Sequence, residues 1–182
     1  MSSFLNIIFK NYSFRQAISA EVEEAVGFLV RNLPGVVGFV TRFLAYKMFF
    51  ACIGSIPYIY PGVRFVFMGH IRLGKNVAVN SNTYIYGKGG VDIGDNVLIS
   101  PNCSIVAGDH NVELGRPIIE QASKTQKIVI EKDCWIGANS VVVGGVTIRE
   151  GSIIGAGAVV THDTEPYSIN IGVPARKVKK RE

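Results

Sequence analysis

The stretch Ile130-Glu131-Lys132-Asp133-Cys134-Trp135-Ile136-Gly137-Ala138-Asn139-Ser140-Val141-Val142 opens a period that runs on past residue 160. Ile130, Ile136, Val142, Ile148, Ile154 and Val160 stand at strict six-residue intervals. Four places after each comes Cys134, Ser140, Val146, Ser152, Ala158 or Thr164, all small or β-branched. Working outward, Ile93, Ile99 and Ile105 obey the same rule, with Val97 and Cys103 four places on, and Leu73, Val79 and Ile85 hold the period further back. Such internal repetition decides an architecture before any local propensity does.

No helical period survives beyond about residue 62. Each six-residue unit reads as a short strand plus a turn, and three units close a triangular coil of about eighteen residues, a parallel β-helix. The aliphatic residue points inward and stacks on its equivalents in neighbouring coils. The small residue sits inward beside the corner, where a large one does not fit. Gly, Asn and Asp take turn positions, where a positive φ costs little. Stability is then close to a nearest-neighbour sum.

The repeat breaks twice. Ile85 to Ile93 is eight residues, and Lys88-Gly89-Gly90 is the expected place of the two extra. Ile105 to Ile130 is twenty-five residues, so a segment near 108–127 loops out of the coil. A loop this long in a regular solenoid is functional or an idle insertion. His110 lies at its start, where a neutral imidazole could take a proton from an attacking hydroxyl or amine. Its other ring nitrogen needs an acceptor, a backbone carbonyl or a carboxylate such as Glu113. By itself, a lone loop histidine more often has no role.

The first 61 residues are different, and we read them as a helical segment packing on the β-helix end. Residues 1–18 are ambiguous, with room for a short helix. Residues 19–53 read as helix, with Ser19 as N-cap, Glu21, Glu23 and Glu24 favouring the first turn, and Pro34 opening a second helix that Gly54 and Pro57 end. Val36, Val37, Phe39, Val40, Phe43, Leu44, Met48 and Phe49 form a broad apolar face, expected to cover the end of the β-helix, with contact to a membrane surface as the alternative. Arg42 and Lys47 sit inside the apolar stretch and argue against a membrane span. No basic segment followed by an apolar run and a small-residue cleavage site marks a secretory signal.

The 182 residues carry a net charge of +5, with 48% hydrophobic and 18% charged residues, which suits a sheet-rich buried chain. The tail Arg176-Lys177-Val178-Lys179-Lys180-Arg181 supplies five cations. It reads first as a solvated terminus over 173–182, and without interleaved aromatics it offers no nucleic-acid platform. Cys52, Cys103 and Cys134 are odd in number and lack CxxC spacing, which argues against disulfides and zinc and fits a cytoplasmic enzyme.

The segments Ile93-Gly94-Asp95-Asn96-Val97-Leu98-Ile99-Ser100-Pro101-Asn102, Asp133-Cys134-Trp135-Ile136-Gly137-Ala138-Asn139, Ile154-Gly155-Ala156-Gly157-Ala158-Val159-Val160-Thr161 and Gly172-Val173-Pro174-Ala175-Arg176 resemble the hexapeptide-repeat acyltransferases. The nearest likeness is to the maltose and galactoside O-acetyltransferase branch and its surface-polysaccharide relatives. The resemblance implies a left-handed β-helix over 62–172 and an acetyl-CoA-dependent O-acetyltransferase acting on a sugar or polysaccharide precursor, with no metal required. It implies His110 as general base, and Asn80 and Trp135 at the acceptor, although Trp135 reads equally as packing at a coil edge. Ala138, Ala156 and Thr161 would line the coenzyme A channel, with Arg176 reaching its phosphates. Hexapeptide turns favour small residues in any case. The resemblance also implies a homotrimer with sites between subunits, in the cytoplasm or peripheral to a membrane.

Galactoside enzymes hold the acceptor with an acidic residue where this chain has Gly87-Lys88-Gly89-Gly90, which leaves the acceptor open; a glycine-rich turn would open space beside the site. An amine acceptor on an amino sugar is the alternative within the same chemistry. A metal enzyme of the γ-carbonic anhydrase kind would have to use His70, His110 and His162, of which His70 and His162 read as surface residues. A non-catalytic β-helix is the remaining alternative.

Overall fold

Each six-residue unit becomes a strand of two or three residues and a turn, and the strands stack in register on three faces. A computed structural model describes residues 13–182. The first face stacks Cys52–Ile53, Ile71–Leu73, Val91–Ile93, Ile128–Ile130 and Thr147–Ile148, all parallel. The second stacks Tyr58–Ile59, Ala78–Val79, Leu98–Ile99, Trp135–Ile136, Ile153–Ile154 and Ser168–Ile171. The third stacks Arg64–Val66, Tyr84–Tyr86, Ser104–Val106, Val141–Val143 and Val159–Val160. The protein is a left-handed parallel β-helix, preceded among the described residues by two N-terminal helices.

The period maps onto burial. Ile136, Val142, Ile148 and Ile154 are fully buried, and so are Ser140, Ser152 and Ala158 among the small positions. Each buried Ile or Val contributes about 1.5–3 kcal/mol. The inward hydroxyls bond to carbonyls of the next coil: Ser140 Oγ donates to Gly155 O and Thr83 Oγ1 to Ser100 O. The corners use left-handed backbone, with φ of 54° to 60° at Asn76, Asn82, Asn96, Asn102, Asp133 and Asn139. Short polar side chains tolerate this region best after glycine. Gly137 answers a different need: a Cβ there would meet Ala156 N and Ile154 O at 2.6 Å in the next coil.

The coils are not all of one length. Cys52 pairs with Arg72 and Arg72 with Asp92, so the early coils advance twenty residues, whereas Val129 pairs with Thr147. The extra residues sit at one corner, between the third and first faces. The Met68–His70 turn fills it in one coil and Gly87–Gly90 in the next.

The N-terminal reading needs three corrections. Helix α1 spans Phe14–Val30 and is capped by Ser13, whose Oγ accepts from Gln16 N while Gln16 Oε1 accepts from Ser13 N. This capping box starts the helix ahead of Ser19, which lies inside it. The expected short helix in residues 1–18 otherwise falls outside the described residues. Helix α2 spans Gly35–Tyr46 and stops well before Gly54, because the chain from Cys52 already pairs with the β-helix, ahead of the residue-62 boundary. Its packed face is Gly38, Arg42 and Tyr46; Val36, Val37, Val40, Leu44 and Met48 are exposed instead. Arg42 explains the inversion. It is fully buried, and its guanidinium donates to Ile59 O (2.9 Å) in the β-helix and to Leu33 O (2.6 Å) between the helices. Tyr46 and Phe50 then pack edge-on against Phe65 at the bottom of the core. No helix among the described residues is long and apolar enough to cross a membrane.

The C-terminal segment is also more ordered than a solvated tail. Arg176–Lys180 runs antiparallel along Ser168–Ile171 and finishes the second face. Its exposed lysines discourage further strand pairing at this edge. Arg181 Nη1 anchors the end on Asp133 Oδ2 (2.9 Å).

Candidate functional site

The long break leaves the coil at Ala107 and returns at Ile128. Its two arms pair antiparallel, His110 opposite Ser123 and Asp109 opposite Lys124. The fold has a local cause. Gln121 is buried; its Oε1 accepts from Glu113 N (2.8 Å), and its Nε2 donates to Glu113 O and Arg116 O. Asp109 Oδ1 accepts from the backbone N–H of His110 (2.7 Å), fixing the chain where the histidine projects. Glu113 thus takes part in the loop's staple through its backbone, and Asp109 is the carboxylate bonded at His110.

His110 is exposed at the rim of a cavity of about 300 Å³, which Tyr84, Tyr86, Lys88, Gly108 and Ser123 help to line. None of these five is among the site residues expected from the sequence, where Lys88 entered only as part of the glycine-rich turn and Gly108 and Ser123 only as part of the loop. Their signal was the break itself, because residues flanking a looped-out segment in adjacent coils must form its floor. Gly108 permits close approach, since a Cβ there would meet Tyr86 Cε1 at 2.7 Å. The glycine-rich turn does not open space, as the sequence suggested. A Cβ on Gly87 would meet Ile71 Cγ1 at 2.6 Å, and one on Gly89 would meet Ala107 O at 2.3 Å. Gly87 thus packs closely on the preceding corner, and Gly89 lets the two feet of the loop, at Ala107 and Gln126, sit tightly against its coil.

The other expected site residues fall into two columns. Asn80, Ala138 and Ala156 lie at the corner between the second and third faces, where successive coils are laddered by Asn102 N to Ser81 O, Asn139 N to Pro101 O and Gly157 N to Ala138 O. Asn80 Nδ2 donates to Ile99 O (2.9 Å). Trp135 is half-exposed on the second face, and its Nε1–H donates to Ser100 Oγ (2.9 Å), just above the Asn80 coil. His110 and Thr161 lie at the opposite edge of the third face. Thr161 Oγ1 bonds to His162 Nδ1 (2.8 Å), and His162 lines a cleft of about 310 Å³ with Arg176 and Lys177. Within one chain, therefore, His110 does not meet Asn80 or Trp135.

His70 Nδ1 donates to Lys88 O (3.0 Å) and stacks on Phe67, so this histidine supports the glycine-rich turn. Among the described residues, no group of three or more His, Cys, Asp or Glu is arranged to hold a metal ion. The Cys103 and Cys134 thiols are buried in the column of small residues, and burial pushes the Cys134 thiol up to about 11.

A family model described as the hexapeptide repeat of succinyl-transferase matches residues 70–107 and 127–162, leaving out the loop. Galactoside O-acetyltransferase of Escherichia coli (strain K12) is 35% identical over 139 residues, 74% of this chain. The chain spans less than two thirds of that relative's own length, 66%. A solved galactoside acetyltransferase in complex with coenzyme A superposes with a TM-score of 0.84 at 30% identity, over 92% of this chain and 82% of that one. A hexapeptide-repeat acetyltransferase from Vibrio cholerae complexed with acetyl coenzyme A gives 0.85 at 26% identity, over 93% of this chain and 91% of that one.

Proposed function

The chain belongs to the hexapeptide-repeat acetyltransferase family, and on that premise we propose that it transfers an acetyl group from acetyl-CoA directly to a hydroxyl of a sugar or surface-polysaccharide precursor. The observation that carries the reading is His110, exposed at the rim of a cavity and presented by a stapled loop at the one large break in the repeat. The imidazole takes the proton of the acceptor hydroxyl as its oxygen attacks the thioester carbonyl, and the thiolate of coenzyme A leaves. Such a base contributes roughly 100- to 10,000-fold.

The two columns suggest how the parts combine. In a homotrimer, the corner bearing His110 on one subunit would face the corner bearing Asn80, Ala138 and Ala156 on the next. Asn80 and Trp135 would then close the acceptor side. The pantetheine arm would lie along the small residues Ala138 and Ala156, past Thr161, and Arg176 would meet the coenzyme's phosphates. Named relatives that act on galactosides or carry bound coenzyme A support this assignment.

Incubation with labelled acetyl-CoA and a set of glycosides tests the reading. The expected product is an ester, released by alkaline hydroxylamine. A hydroxylamine-resistant amide formed only with amino sugars would replace it with the N-acetyltransferase alternative, and thioester cleavage indifferent to any acceptor would overturn it.

A further inference from the structure

We infer that the His110 cavity selects an acceptor carrying a negative charge, a carboxylate or a phosphate ester, and that Lys88 is the residue that recognises it. The inference rests on the transferase reading above and deepens it by naming the substrate class. Lys88 lines the same cavity as His110 and is partly buried there. Its position is built from both sides. The His70 ring holds its carbonyl, and its Nζ donates to Ser123 Oγ, directly across the strand pair from His110. The ammonium is thus fixed beside the loop that carries the base.

The surroundings fit a charged sugar. Tyr84 and Tyr86 lie nearly parallel, 25° apart with ring centroids at 6.4 Å, and provide an aromatic wall for the apolar face of a pyranose. Asp109 is the one carboxylate among the described lining residues, and its Oδ1 accepts from the His110 N–H. Burial lowers the Lys88 ammonium from its ordinary value, because the charged form loses hydration. A charge-assisted hydrogen bond from this ammonium to an anion is worth about 1.5–3 kcal/mol, roughly tenfold or more in affinity.

Matched acceptor pairs test the inference: glucose against glucuronic acid, galactose against galacturonic acid, and glucose against glucose 6-phosphate. Acetyl transfer is measured with the full-length wild type, Lys88→Gln and Lys88→Glu. Binding of each acceptor to the coenzyme A complex is followed by calorimetry. In the wild type, kcat/KM for at least one charged member exceeds that of its neutral partner roughly tenfold or more. The preference resides in KM, it collapses in Lys88→Gln, and Lys88→Glu favours the neutral member. KM for acetyl-CoA stays unchanged in both variants. The pairs separate the two anions: uronic acids favoured alone indicate a carboxylate, and the sugar phosphate alone a phosphate ester. Neutral sugars used or bound as well as their charged partners, or no binding of any member, overturns the inference. So does a Lys88→Gln defect seen in the KM for acetyl-CoA instead. The transferase reading fails separately, by the absence of any acceptor ester with neutral and charged acceptors alike.

Discussion

Arg42 joins parts of the chain that an apolar side chain could not join. Its guanidinium supplies donors to Ile59 O in the β-helix and Leu33 O between the helices, in a site from which water is excluded. Replacing it with methionine keeps much of the volume and leaves those carbonyls without donors, at about 1–3 kcal/mol each. Arg42→Met should lose about 3 kcal/mol of stability in urea unfolding, and a change within 0.5 kcal/mol would show that the guanidinium is incidental. The thiols make a second test at this scale. Cys103 and Cys134 are buried, with their thiols raised by burial, whereas Cys52 is exposed. A maleimide at neutral pH should label Cys52 in the folded protein, and Cys103 and Cys134 only after denaturation. Rapid labelling of Cys134 in the native state would contradict the packing.

At the scale of the coil, spacing between turns decides which residues are tolerated. Gly137→Val should cost about 1–3 kcal/mol, read as a fall in Tm, because its Cβ collides with backbone of the next coil that has no room to move. Ala156 is exposed at the same corner. Ala156→Trp should therefore leave Tm within a degree or two and raise the KM for acetyl-CoA roughly tenfold or more, one clash's worth of about 1.4 kcal/mol; an unchanged KM would move the coenzyme lane elsewhere. The elements were unevenly legible in the sequence. The inward Ile and Val positions and the corner asparagines follow from a six-residue period, because one geometry repeats in every coil. The first coil obeys the same period at Ile53, Ile59 and Phe65, but the neighbouring apolar run reads as helix and masks it. The packed face of α2 was illegible for a plainer reason. Apolarity points to Val36, Val40, Leu44 and Met48, while hydrogen bonding by Arg42 and the smallness of Gly38 decide the contact. Likewise, the cavity beside His110 depends on Tyr84, Tyr86 and Ser123, which come together only when successive coils stack across the looped-out segment.

For the whole molecule, the separation of His110 from Asn80, Trp135, Ala138 and Ala156 along the width of one face makes a lone chain an incomplete enzyme on our reading. Sedimentation should accordingly give a species of three times the 19.8 kDa chain mass, and an active monomer would refute the shared site. Everything else depends on the base. Steady-state acetyl transfer by His110→Ala, with trimer mass and coenzyme A binding measured on the same preparation, tests it most directly. We predict a fall in turnover of roughly 100-fold or more with assembly and coenzyme binding intact; turnover close to wild type would contradict the assignment of His110 as the base.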